Sequence, residues 1–392
     1  MTHQAIISAQ ARATLERVQG EEMVLLVQDT TTFDFSHHPG TAGLGTLENA
    51  HCRGFLAHTT LAVSAVGVPL GVLAQQVWVR HETGKRRRHE SAFAEKESYK
   101  WVTGVPDGLT EGAQTRWVTV CDREAHIYAF FDAMHAHGMD YIVRATRERS
   151  FTPDGREVWT LVADLPVQAR YTLMLQRRPD RAARPAQVEL RFSQVTVKRP
   201  KRANTAQAVL TLSVVAVIEP DPPAGEEAVH WLLLTSLPVA TVAQARQIVT
   251  WYTYRWLVER LHFVLKSGCR LEARQLRDAV RLERLLAVYS LVAWKLLWLT
   301  YQARQTPDAP CTVALQPHEW HALYAFIHRA PRLPPSPPTL RQATRWIAQL
   351  GGFLGRKGDG EPGVKVLWRG WTRLQDIAAT WSISHPQDVG NV

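Results

Sequence analysis

Cysteine is scarce and scattered. Cys52, Cys121, Cys269 and Cys311 form no CxxC pair and no Cys/His cluster. That excludes a disulfide framework and a zinc site of the usual spacing, and it fits a reducing cytoplasm. The sixteen histidines do not repair the lack, because HHPG, HAHG and HRAP carry no ligand spacing. Long apolar runs are missing too. The most apolar stretch, LLAVYSLVAWKLLWLTY at 285 to 301, is interrupted by Lys295 and falls short of the ~18–20 residues a spanning helix needs. A buried helix is expected there, and no membrane partner. The opening MTHQAIISAQARATLERVQG has neither an apolar core nor a cleavage pattern, so no secretory leader is read in it. GGFLGRKGDG lacks the GxxxxGK[ST] pattern of a phosphate loop. Acid is in deficit, 36 Asp and Glu against 46 Lys and Arg, and the net charge of +10 fits a polyanionic partner, nucleic acid first. Basic runs such as GKRRRHE and KRPKR read as solvated loops with a backbone-contacting role in second place.

The 392 residues suffice for two or three domains. A helix is expected over 5 to 19. EEMVLLVQDTTTF gives a short apolar strand, 23 to 27, ending at Asp29. GFLAHTTLAVSAVGVPLGVLAQQVWV reads as two strands around a tight turn at 67 to 69. RWVTVCDREAHIYAFFDAMHAHG is a strand ending at Asp122 and then a helix, and DYIVRA is another strand. Three strands able to form a meander, followed by strand–helix–strand, predict a mixed sheet. From 150 to 235 the pattern changes to period two in QVELRFSQVTV and QAVLTLSVVAVI, as in half-buried strands. Helix resumes after 240, a long helix is expected over 278 to 304, a Pro-rich connector over 329 to 339, and two helices around a Gly-rich loop beyond it.

Two aspartates close apolar strands, Asp29 in VQDTTTF and Asp122 in VTVCDREA. Sites form at the carboxyl ends of strands in open α/β sheets, although an aspartate in that place is more often a turn or cap residue. The stretch YTYRWLVERLHFVLKSG, 252 to 268, supplies a third acid. At about 100° per residue, Tyr252, Arg255, Glu259, His262 and Lys266 fall on one stripe of a helix. Taken alone, the stripe reads equally as a solvated face with an Arg–Glu pair worth a few tenths of a kcal/mol. Three carboxylates brought together repel unless a cation joins them, and oxygen ligands suit Mg²⁺ or Mn²⁺. Two such ions can activate a nucleophile and stabilise a leaving oxygen at a phosphodiester.

The spacing Tyr-x2-Arg-x3-Glu-x6-Lys at Tyr252, Arg255, Glu259 and Lys266, with DTT at 29 to 31 and CDREA at 121 to 125, resembles the DDE transposases of the insertion-sequence-four family. EKESYKW, HWLLLTS and LGGFLGRKGDGEPG are similar to that family as well. The resemblance implies an α/β fold: a ribonuclease H-like core of mixed sheet and flanking helices, interrupted by a β-rich insertion, with a helical C-terminal region. It implies Asp29, Asp122 and Glu259 as catalytic ligands of two divalent ions, Mg²⁺ or Mn²⁺. It implies Tyr252, Arg255 and Lys266 at the phosphate near the cleaved end, Trp231 as the aromatic that receives a flipped base, and Arg144 as a further end-binding position. The activity implied is cut-and-paste transposition, by nicking, hairpin formation, hairpin resolution and strand transfer. The partners implied are transposon ends, target DNA and a second copy of the chain, in a bacterial cytoplasm at the nucleoid.

The expected parts are an N-terminal helix at 1–20, the first part of the core at 21–150, the β-rich insertion at 151–236, the helical completion with Glu259 at 237–304 and a helical region at 305–392. The family usually carries a helical end-recognition domain ahead of the first aspartate; with 28 residues before Asp29, a single helix is expected in its place. Two other functions fit the same residues, a shortened chain that inhibits full-length transposase and a metal-dependent nuclease of the same fold. A glycosidase with paired carboxylates is disfavoured, since the basic surround raises no carboxyl as a general acid requires.

Overall fold

The computed structural model describes residues 1–386 apart from 50, 81–91, 112–113, 148, 177–181, 202, 204 and 331. The basic run GKRRRHE lies outside the described residues, as does the last residue of KRPKR.

An N-terminal helix, α1 (His3–Val18), precedes β1 (Met23–Asp34), the two-residue β2 (Gly45–Thr46), β3 (Arg53–Ser64) and β4 (Pro69–Trp78). A short α2 (Lys100–Thr103) leads to β5 (Arg116–Cys121), α3 (Tyr128–Ala136) and β6 (Asp140–Arg144). Then come α4 (Val158–Ala163), β7 (Ala169–Leu175), β8 (Arg184–Lys198), β9 (Val209–Ile218) and β10 (His230–Thr235). The rest is helical: α5 (Val242–Thr253), α6 (Trp256–Phe263), α7 (Ala279–Gln305), α8 (Pro317–His328), α9 (Leu340–Leu350) and α10 (Val364–Ser384).

All ten strands join one sheet, in the order β2-β3-β1-β5-β6-β10-β9-β8-β7, with β4 paired to β3. Among the described residues, the strand pairs β1–β5 and β5–β6 are parallel and the other strand pairs antiparallel. These strands are buried on both faces, which explains the unbroken run Val24–Val27 in β1. One face packs α5, α6, α7 and α9, and the other packs α3, α4 and Trp101. Helix α1 lies against β4 and α7. In the C-terminal region, Gly370 of α10 sits on α9 so closely that a Cβ would lie 1.7 Å from the Ile347 carbonyl oxygen. Only glycine allows that approach.

Two sequence expectations change. The first strand does not end at Asp29 but runs on to Asp34, because Thr30, Thr31 and Thr32 keep full register with β3. Their β-branched side chains suit a strand although they are polar. The stripe from Tyr252 to Lys266 is not carried by one continuous helix. It breaks between α5 and α6, where Tyr254 and Arg255 donate to Trp251 and Tyr252 carbonyls in tightened turns, and it ends in a π-helical turn, Val264–Gly268. Local bonds compete with the helix there: Thr250 Oγ1 donates to the Arg246 carbonyl at 2.9 Å and Thr253 Oγ1 to the Thr250 carbonyl at 2.6 Å. The Tyr254 ring also needs room over Gly67, where a Cβ would approach it to 2.8 Å. The β-rich segment also contains helix α4, and its strands extend the core sheet, since β10 pairs with both β6 and β9.

Candidate active site

Asp29 stands on β1 just past the last parallel pair, Val27 with Val120. Its antiparallel pairing with β3 continues, Asp29 opposite Thr59. Asp122 directly follows β5 and caps a short 3₁₀ turn, accepting from the Glu124 backbone N–H at 2.8 Å. The ordinary cap role is therefore real, and it coexists with the placement. Glu259 comes from α6, whose Leu257, Val258 and Leu261 are buried where the helix packs on β1 and β3.

Arg255, at the break between α5 and α6, ties these acids together. Its Nη1 lies 3.5 Å from Asp29 Oδ1, and its Nη2 donates to Glu259 Oε1. Burial opposes its charge, but the fields of Tyr252, Glu259, Asp29 and Asp122 prevail and hold the guanidinium more firmly protonated than usual. Burial would raise the Asp29 carboxyl, yet His262, whose Nδ1 is 3.6 Å from Asp29 Oδ2, together with Arg255 and His58, keeps it below the ordinary value. Asp122 moves the other way. Burial raises it, with the charges of Asp29 and Glu124 adding, against the Glu124 N–H and Arg255. One end of the sheet thus carries three carboxylates in the field of one guanidinium.

A buried polar network supports them. His58 Nε2 meets Gln28 Oε1 at 2.8 Å, His58 Nδ1 meets Thr30 Oγ1 at 2.9 Å, and Gln28 Nε2 donates to Thr119 Oγ1 at 2.7 Å. Burial and the neighbouring Lys100 push the His58 imidazole down to about 3, so it is neutral at pH 7. Lys100, itself largely buried, donates to Glu124 at 3.1 Å and lies 4.0 Å from Glu97, which Arg80 holds by a two-pronged pair. These contacts tie EKESYKW to the turn after Asp122. The segment was visible in the sequence, but its role depends on partners that only folding brings near.

A half-open pocket adjoins the acids. Arg144, Trp231, Tyr252, Arg255 and Trp256 line it, together with the end of β7. Trp231 meets the Tyr252 ring edge-on at 5.2 Å. Arg144 donates to the His230 carbonyl at 3.3 Å. Four expected DNA-contacting residues thus share one pocket. Lys266 is not among its lining residues. It lies over the Phe33 ring, 4.0 Å from Glu272. The stripe is also less exposed than its pattern suggests: Tyr252 is 5% exposed, and His262 is buried as well. Sequence reasoning missed Trp256, which lies off the stripe at uninterrupted helical spacing and comes to the pocket at the break.

The model of the transposase DDE domain matches residues 100–294, and the model of the transposase Tn5 dimerisation domain matches 291–383. The two abut and together span most of the chain. This protein is a DDE transposase of the insertion-sequence-four type. The mixed sheet with β1, β5 and β6 in parallel is its ribonuclease H-like core, and the chain is a metal-dependent enzyme of DNA strand cleavage and transfer. Asp122, Glu259 and the pocket residues Arg144, Trp231, Tyr252, Arg255 and Trp256 lie within the DDE match, whereas Asp29 precedes it. The helices from α8 through most of α10 belong to the dimerisation domain. No helix among the described residues is long and apolar enough to cross a membrane.

DDE transposases generally use divalent metals. The donor set fits that chemistry: carboxylate oxygens gathered at one sheet end suit a hard divalent cation. Among the described residues no three acid, histidine or cysteine side chains are grouped closely enough to hold an ion. Arg255 pairs with Asp29 and Glu259 there.

Proposed function

We propose that this transposase performs cut-and-paste transposition, with Asp29, Asp122 and Glu259 as its catalytic acids. The observation that carries the proposal is the adjacency of two features: an arginine paired with Asp29 and Glu259 in the field of Asp122, and that same arginine lining a pocket with Trp231, Tyr252 and Arg144. In this reading the three acids hold two divalent ions, Mg²⁺ or Mn²⁺. When bound, such ions activate the attacking oxygen and stabilise the leaving one.

The chain's own residues do the rest. Arg255 and Tyr252 hold the phosphate near the cleaved end, the guanidinium by two parallel hydrogen bonds. Lys266, further along the same segment, meets the strand outside the pocket as a point charge. Forming a hairpin strains the terminal base stack. A base turned out onto Trp231 offsets about 1–3 kcal/mol of that cost, and Arg144 at the pocket wall meets its backbone. Nicking by water, attack by the freed 3′-OH, hairpin resolution and strand transfer are all in-line displacements at phosphorus, so one set of residues serves all four.

The expected division of the chain stands as part of this proposal. Residues 21–150 and 237–304 build the core around Asp29, Asp122 and Glu259, 151–236 supply the β extension with Trp231, and 305–392 bring a second copy into a homodimer on DNA. A nuclease without strand transfer is the second reading, and the pocket speaks against it, since simple cleavage has no use for an everted base. The test is Mn²⁺- or Mg²⁺-dependent cleavage of a duplex carrying the flanking inverted repeats, followed by joining of pre-cleaved ends to a target plasmid. Cleavage without joining selects the nuclease; no cleavage with either ion rejects both.

A further inference from the structure

We infer that Arg255 is an exchangeable counter-ion. In the DNA-free protein it holds Asp29 and Glu259 as partners with Asp122 in its field, and a DNA phosphate draws it away and releases the acids for divalent ions. The inference rests on the assignment of those three acids as metal ligands and adds a coupling that the assignment alone does not contain.

Three observations converge on it. The first is charge. One guanidinium contacts Asp29 and Glu259 and feels Asp122, with His262 also against Asp29. Any added cation competes with that arginine for the same oxygens. The second is place. Arg255 belongs to the acid cluster and to the pocket wall at once. It sits at the junction of α5 and α6, where the regular helix is interrupted. The third is chemistry. The Arg255 side chain is 14% exposed, so its charge requires a partner, and the planar fork fits a phosphate as well as a carboxylate. Exchanging one for the other leaves the guanidinium satisfied and the acids free. By linkage, whatever factor DNA adds to ion affinity, the ion adds to DNA affinity. The site therefore becomes fully charged for chemistry only once an end is seated.

The experiment measures Mn²⁺ affinity by calorimetry and by the Mn²⁺ electron-spin signal, without DNA and with a duplex of the element's own terminal repeat. Wild type is expected to bind Mn²⁺ at least about tenfold more tightly with the duplex, as befits displacement of a unit charge at contact range. Arg255→Gln, which keeps the shape and removes the charge, is expected to reach the tight value without DNA and to gain little from it. Arg255→Lys is expected to restore part of the coupling, because the charge returns without the fork. Equal Mn²⁺ affinity of wild type with and without the duplex overturns the inference and needs no variant. So does an Arg255→Gln protein, folded by circular dichroism, that binds Mn²⁺ no more tightly than wild type in the absence of DNA. The underlying assignment fails differently: Asp122→Asn would then leave Mn²⁺ affinity unchanged even with DNA bound.

Discussion

Arg184 and Arg255 are both largely buried against carboxylates, and they are finished in opposite ways. Arg184, at the start of β8, meets Glu219 through both terminal nitrogens, at 2.6 and 2.9 Å, and Glu226 lies 3.5 Å from its Nε. Glu219 is almost fully buried and also accepts the Val229 N–H at 3.0 Å. Both terminal nitrogens of Arg184 and the Glu219 carboxylate are satisfied within the protein, while the buried Nε makes no hydrogen bond among the described residues. Arg255 is shared between Asp29 and Glu259 in the field of Asp122, and a pocket opens at its side. A closed pair fixes a strand end; a shared arginine gathers acids beside an open pocket. That placement, rather than the presence of an ion pair, marks the candidate site, which agrees with perturbed groups clustering where chemistry occurs.

The largest effect that would break this contrast lies in the acids. Asp122→Asn should lower end cleavage by roughly a thousandfold or more, the loss of several kcal/mol of transition-state stabilisation, while duplex binding by gel shift persists. Cleavage near the wild-type rate would remove Asp122 from the chemistry. Next comes the closed pair. Arg184→Ala strands a buried carboxylate and should cost about 3–5 kcal/mol in urea unfolding. Replacing both members, Arg184→Leu with Glu219→Met, should recover most of that. A double variant as unstable as the single would mean that the pair does more than cancel its own burial.

Trp231→Ala should weaken retention of the hairpin end by about 1–3 kcal/mol and leave the first nick comparatively unaffected; single-turnover gels separate the two steps. An equal loss at both would place Trp231 in the core rather than at the base.

The two aspartates sharpen the contrast through pH. Asp29 titrates below its ordinary value of about 3.9, so its ionisation stabilises the fold above that value and the contribution is lost as pH falls through the depressed folded one. Asp122 titrates above its ordinary value. Its charge costs stability near neutrality, and protonation relieves the cost as pH falls through the raised value. Melting curves taken without divalent ions should therefore show Asp29→Asn destabilising and Asp122→Asn stabilising at pH 7. The same sign for both would contradict the cluster's electrostatics. The smallest effect belongs to Lys266→Ala, which should reduce the salt slope of DNA binding by about one phosphate contact and, with only a loose partner in Glu272, leave stability within about 1 kcal/mol.

Much of the core was legible because its signals are local. The apolar run of β1, the tight turn before β4, the strand leading to Asp122 and the long helix α7 all announce themselves within a dozen or two residues. The site was legible chiefly as an order of motifs. Three features were not. Thr30–Thr32 look like the exit from a strand, yet β3 pairs with every one of them. The break at Tyr254 depends on threonines bonding backward and on Gly67 beneath a ring, and the second of these is nearly two hundred residues away in the chain. Trp256 could not be placed in the pocket until the break was known. In each case a contact distant in sequence overrode a local pattern.

One hydrogen-bonded sheet runs from β4 to β7, and this makes it a gauge. Asp122 leaves the end of β5, and Trp231 stands on β10, two strands away. Strands lie about 4.8 Å apart, so the two elements are set roughly 10 Å from each other across the sheet, with no hinge between them. In the proposed reading, a base turned out onto Trp231 therefore belongs to a nucleotide close along the strand to the phosphate beside Asp122. Such a span is measured by rigid backbone instead of by side chains, so substitutions in the pocket can change how firmly a base is held without changing which phosphate is presented.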